Sequence, residues 1–252
     1  SKIAVLNPDR MWAGGIMLNH DGAVLSSGRH GIMWNHPERG ISGWLIDQID
    51  GTPINGINEM MPDGQGGILF GTIDLDMIVA GKDTRGAALY RLAADRSVTR
   101  LAAEIAFTNG IMFDAERQRL YCNETFRCCW AFDVGADFTL SNQRVMLDKS
   151  DVDGMALDAA GNLWITGFRT SKIVRITPDG DLLEPISTPD GPVTQLRFGG
   201  ADARDMVISS VPRGSGDTLK EGGQIQQPQS VLYHGRSDAP GMLVQPAAFD
   251  LG

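Results

Sequence analysis

Five times along the chain an Asp- or Gly-rich turn joins two short apolar stretches, and the turns recur at intervals of 42, 51, 44 and 41 residues. The five segments are Asp21–Ser26, Asp63–Gly71, Asp114–Cys122, Asp158–Thr166 and Gly199–Ser209. Each reads as a β-hairpin whose turn offers a position that tolerates positive φ. Further strand-like runs lie between them, at Ala88–Leu92, Cys129–Asp133 and Lys172–Ile176. Four short strands repeated every ~45 residues is the pattern of a β-propeller blade. Parallel α/β repeats would need helical patterns between the strands, and only Asp95–Ile105 could be read that way, poorly. Glycine makes up 31 of 252 residues, about 12% against a usual ~7%, and 12 prolines accompany it, so the chain turns too often for long helical bundles. No linker or low-complexity segment divides it. Residues 1–252 are therefore expected to form a single all-β propeller domain, with Arg213–Gln226 as a loop over one face.

Charge and composition narrow the partners. With 31 acidic against 22 basic side chains the formal charge is −9, which argues against nucleic acid or an anionic membrane as the main partner. No apolar run approaches the ~18 residues needed to cross a bilayer, and no signal segment opens the chain. Cys122, Cys128 and Cys129 are too few for a disulfide framework, so a reducing, cytoplasmic setting is expected. The sequence gives no reading of oligomeric state.

Five residues before each turn stand Ile16, Asn58, Asn109, Asp153 and Thr194. Four of these are polar although they fall in or beside strands whose other residues are mostly apolar. Equivalent positions on the innermost strands of a propeller ring its central channel, so these side chains should converge at one mouth. Amide and carboxylate oxygens without histidine or thiolate neighbours suit calcium, magnesium or manganese better than a structural zinc. The alternative is that Asn and Asp satisfy backbone groups at strand ends. His20, His30, His36 and His234 show no metal-binding spacing, and Cys128–Cys129 reads as a buried pair. Glu124, just past a strand, could approach the channel. There is no GxSxG nucleophile elbow and no phosphate loop, and Asp63–Gly67 reads as a hairpin turn.

These residues carry a resemblance to a known family. Thr108 to Phe113 followed by Arg119 to Thr125, the stretch Asp153 to Trp164, Asn58-Glu59 with Pro62-Asp63-Gly64 and Phe70-Gly71-Thr72, and Thr194 to Gly200 resemble motifs of the senescence marker protein/gluconolactonase/luciferin-regenerating-enzyme family, in the right order over most of Met11 to Val211. The resemblance implies a six-bladed propeller with one divalent cation on its axis, calcium first, with zinc, manganese or magnesium as alternatives. It implies metal-dependent hydrolysis of the gluconolactonase type, opening a sugar-derived or other small lactone with activated water. By position, Asn109 and Asp153 would be metal ligands, Asp153 doubling as the base. Asn58 would help hold the substrate or reach the metal through water, and Glu59 and Thr194 would contact substrate.

Three departures from the family pattern matter. The inner strand that supplies a first-blade glutamate ligand is missing, Ser1 to Leu6 reading as an outer strand of that blade, so the first blade looks incomplete. Five turns where six are expected leave two readings: about 30–40 upstream residues are absent, or the protein closes differently with a site one ligand short. Glu59 stands where an aspartate is usual, and Gly56 where many lactonases place an arginine. The loss of that arginine weakens the charged-sugar reading and allows a less polar substrate, which Met60, Met61, Met112 and Met155 near the expected mouth would suit, the alternative being that these methionines are core. Two rival functions remain open: a non-catalytic propeller binding a ligand or protein, and a metal-dependent lyase, isomerase or esterase on a non-sugar substrate.

Overall fold

In a computed structural model of the chain, which describes residues 6, 10, 12–82, 86–189, 191–215 and 230–252, each turn of the repeat joins the two innermost strands of an antiparallel sheet. The first sheet is β1 (Ala13–Leu18), β2 (Val24–Gly28), β3 (Gly31–His36) and β4 (Ile41–Ile46). A short hairpin of β5 (Gln48–Ile49) and β6 (Thr52–Pro53) leads to the second, β7 (Gly56–Pro62), β8 (Ile68–Ile73), β9 (Ala88–Leu92) and β10 (Val98–Ala103). The third comprises β11 (Thr108–Asp114), β12 (Arg119–Glu124), β13 (Cys128–Val134) and β14 (Leu140–Leu147). The fourth comprises β15 (Val152–Leu157), β16 (Leu163–Gly167), β17 (Lys172–Ile176) and β18 (Leu182–Ser187). The last has three strands, β19 (Val193–Gly199), β20 (Asp205–Ser210) and β21 (Val231–Arg236).

The architecture is an all-β propeller with five blades among the described residues; the expected sixth is not among them. The first sheet has all four of its strands, and the sheet with only three is the last. Ser1–Val5, most of the expected outer strand, and 216–229, most of the expected Arg213–Gln226 loop, lie outside the described residues. Asp95–Ile105 forms a turn and β10 rather than a helix. A one-turn helix not foreseen from the sequence, α1 (Leu75–Val79), follows β8, with Asp74 as its cap accepting the Met77 N–H.

The recurring aspartates explain why the repeat is visible in sequence. Asp63 accepts from the Gln65 and Gly67 N–H groups and from Arg91, and is wholly buried. Asp114 does the same for Glu116, Arg117 and the Arg117 guanidinium. Asp158 takes the Ala160 and Asn162 N–H groups and the Trp164 indole. An Asp that folds its side chain back on the next turn fixes each hairpin at the same place. Apolar clusters then fill the spaces between sheets. Leu25, Ile32, Ile57, Met60 and Phe70 join the first two, while Ile111, Tyr121, Met155 and Leu163 pack among the third and fourth. Trp164 meets Phe198 edge-on between the fourth and fifth.

The C-terminal segment crosses the turn end of the blades. The Met242 N–H donates to Leu157, Ala247 to Leu18 and Ala248 to Gly66, so one stretch ties the fourth, first and second sheets. Its anchor is Phe249, fully buried, whose N–H and carbonyl both bond the Asn19 side chain. Phe249→Ala is expected to cost about 3–5 kcal/mol, the usual range for emptying a buried aromatic site. Chemical denaturation of the two proteins checks this, and a loss under about 1 kcal/mol would show the segment to be dispensable.

Candidate active site

The inner strands pack side by side, β1 against β7, β7 against β11, β11 against β15 and β15 against β19. Each carries an irregularity in its pairing at the same end: between Ala13 and Ile16, Ile57 and Met60, Thr108 and Ile111, Val152 and Met155, and Val193 and Gln195. A β-bulge turns consecutive residues toward one side, and of the bulge pairs Asn58-Glu59, Asn109-Gly110, Asp153-Gly154 and Thr194-Gln195 all but the two glycines line one space. They border a cavity of about 560 Å³, open at that end. Asn58, Glu59, Asn109, Asp153 and Thr194 all lie on it, as does Ile16.

Glycine at the second bulge position is a packing requirement. A Cβ on Gly110 would lie 2.6 Å from the Met155 nitrogen, and one on Gly154 would lie 2.6 Å from the Thr194 carbonyl oxygen. The strands could not approach so closely with any side chain there. Side chains from the second strands then pin the bulges. Ser27 donates to the Asn58 carbonyl, Asn123 to the Asp153 carbonyl, and Thr166 to the carbonyls of Gly154 and Thr194.

On the floor, Asn58 Nδ2 donates to Asn109 Oδ1 at 3.0 Å, and Asn109 Nδ2 donates to Thr125 Oγ1 at 2.9 Å. Thr194 Oγ1 lies 2.8 Å from Ser209 Oγ. Two bulges carry long polar side chains in place of glycine, and these meet across the channel: Gln195 Nε2 donates to Glu59 Oε2 at 2.9 Å. The Arg197 guanidinium stands 3.8 Å from Glu59 and donates to Gln195 Oε1 and to the Met155 carbonyl. Burial pushes the Glu59 carboxyl up, and Arg197, the Met60 N–H and Gln195 hold it partly down.

Asp153 is different. Among the described residues no hydrogen bond reaches its carboxylate, and burial together with the Glu59 charge raises it well above the ordinary carboxylate range. A carboxylate held beside a second one, with amide oxygens at hand and no donor of its own, is a donor set that a hard divalent cation would satisfy. Among the described residues no histidine or cysteine lines the cavity, which fits an oxygen-only ligand set.

The upper wall is apolar, formed by Trp12, Ile78, Phe107, Phe126, Phe168 and Val211. The four methionines expected to give the mouth its apolar character do not. Met60, Met61, Met112 and Met155 are each no more than 4% exposed and belong to the clusters between sheets. Glu124, expected as a possible approach to the channel, is instead buried, accepting from the Ala106 N–H and the Trp130 indole. All three cysteines are buried and free. Sequence reasoning missed Gln195, Arg197 and the phenylalanines. Gln195 had a signal, since it follows the register residue Thr194 as Glu59 follows Asn58.

A propeller whose channel mouth gathers amide and carboxylate oxygens from successive blades defines the class of protein. Residues 5–212 match the SMP-30/Gluconolactonase/LRE-like region, and the chain belongs to that family. It is 29% identical to regucalcin of Danio rerio over 196 residues, covering 75% of this chain and 65% of that one. It is 26% identical to the pentonolactonase XacC of Haloferax volcanii over 219 residues, covering 81% of this chain and 68% of that one. The chain thus spans about two thirds of the length of such relatives. A solved luciferin-regenerating enzyme superposes with a TM-score of 0.79 at 20% identity, over 96% of this chain and 83% of that one, a likeness of fold.

Proposed function

We propose that the chain is a lactonase of the gluconolactonase type, a single propeller domain over residues 1–252 that opens a small cyclic ester with water. The observation that carries this reading is Asp153, a carboxylate that receives no hydrogen bond among the described residues and lines the cavity floor with Asn109, Asn58 and Glu59. Family membership and the likeness to a pentonolactonase support it.

Asn109 and Asp153 would hold a divalent cation, calcium first and zinc, manganese or magnesium as alternatives, with Glu59 near enough to add charge. Bound there, the cation would supply a positive charge that polarises the lactone carbonyl and keeps Asp153 ionised. Asp153 takes a proton from water as the water oxygen bonds to the carbonyl carbon. The ring C–O bond then breaks, and the proton held on Asp153 passes to the departing oxygen, giving a hydroxy acid. Asn58 and Thr194 orient the substrate through hydrogen bonds. The bond from Asn123 to the Asp153 carbonyl and the close seat of Gly154 keep the base in place.

A panel of lactones and esters assayed in millimolar calcium or manganese tests the activity. Ring opening of at least one class is expected; turnover of none, with a ligand still bound in the cavity, would move the protein to the binding-platform reading. Asn109→Ala is expected to weaken cation affinity by at least roughly 10-fold, since losing a group that merely hydrogen-bonds a metal ligand already costs that much. Unchanged affinity in a titration would take Asn109 out of the ligand set.

A further inference from the structure

The cavity is apolar on one side. Its floor is polar, while its upper wall carries three phenylalanines from two neighbouring blades. Phe107 enters β11, Phe126 sits in the β12–β13 turn and Phe168 follows β16. Their rings form a continuous ladder, Phe107 to Phe126 at 5.9 Å and 47° and Phe126 to Phe168 at 5.6 Å and 78°. These are tilted and edge-to-face geometries that aromatic rings favour.

Phe126 is the informative member. It has φ of +73°, a left-handed conformation that a bulky side chain rarely adopts, and its N–H is fixed to the Ser150 carbonyl at 2.7 Å. The turn is thereby held with Phe126 41% exposed at the cavity wall rather than folded into the core. The Arg169 guanidinium covers Phe168 at 5.0 Å from the ring centre, behind the ladder. Trp12 and Ile78 complete an apolar rim. The hydroxyl groups of a sugar lactone would find few partners against this wall, whereas a hydrophobic substituent would be sheltered there.

We infer that the site is built for a lactone bearing an aryl substituent, with the ester at the Asn109/Asp153 floor and the aromatic group on the Phe107–Phe126–Phe168 ladder. This rests on the lactonase reading for the reaction and adds the substrate class. The wall, rather than the floor, sets the selectivity.

The test compares kcat/KM for a phenyl-substituted butyrolactone, an unsubstituted butyrolactone and a polyhydroxylated gluconolactone. The phenyl lactone is expected to exceed both by about 10-fold or more, the size of one well-filled apolar contact. Phe126→Ala should lower the phenyl-to-unsubstituted ratio by about 10-fold, and Phe126→Leu, which keeps apolar volume, by less. A preference for gluconolactone, or a ratio unmoved by Phe126→Ala, overturns the proposal. Calorimetric binding of the matching phenyl lactam, which is not hydrolysed, separates this from failure of the chemistry. If no lactone turns over yet Phe126→Ala weakens lactam binding, the wall stands and the reaction is wrong; if Phe126→Ala leaves lactam affinity unchanged, the wall is wrong whatever the chemistry.

Discussion

Asp153→Asn is expected to lower kcat/KM for lactone opening by about a thousandfold, within the ~10²–10⁴ range for loss of a positioned general base. The amide is nearly isosteric but cannot take the proton from water. The fold should survive, because the carboxylate receives no hydrogen bond that Asn would forfeit among the described residues. The sign of the stability change follows from the raised position of Asp153 in the cation-free protein. A carboxyl raised in the folded state costs stability as pH rises above its unfolded value, the cost being complete once pH passes the folded value. Asn carries no such cost. At neutral pH, without added metal, the variant should melt at or above the wild-type temperature. A soluble variant with wild-type turnover would remove Asp153 from the chemistry, and a variant that unfolds would make it structural.

Cation removal should have an effect of comparable size. Dialysis against chelator is expected to lower turnover by at least about a hundredfold, with recovery on adding calcium or manganese, since both carbonyl polarisation and ionisation of Asp153 depend on that charge. The melting temperature should move too. At a concentration of one hundred times Kd, a ligand bound only by the folded state adds ~2.7 kcal/mol, which for a chain of this length is roughly 5–10 °C. Full activity in chelator, with no shift on adding either cation, would leave the four floor residues as strand-end hydrogen-bonding groups.

The repeat made much of this architecture legible in the sequence. The aspartates at 63, 114 and 158 are conspicuous because each closes its own turn through its own side chain, a local interaction that leaves a local signature. The site positions were legible for a related reason. Counting back from those turns reaches the bulges of the inner strands, so Asn58, Asn109, Asp153 and Thr194 share one level of the channel. Methionine placement was not legible, since strand alternation is reset by each bulge. Met60 and Met155 follow their bulges directly and face the spaces between sheets rather than the mouth. The bond between Glu59 and Gln195 joins positions 136 residues apart, and only the closing of the blades around the channel brings them together. The phenylalanine wall stands on turns with no periodicity to read, and Phe126 takes a backbone conformation its residue type does not announce. The blade number was not legible either: the family resemblance implied six, and five blades are found among the described residues.

The most direct test is calorimetric titration of calcium into the metal-free protein and into Asp153→Asn and Asn109→Ala. The account predicts one ion bound per wild-type chain, with affinity lowered by about 10-fold or more in each variant. Equal affinity in all three proteins, or no binding to the wild type by calcium or by manganese tried in its place, would contradict it.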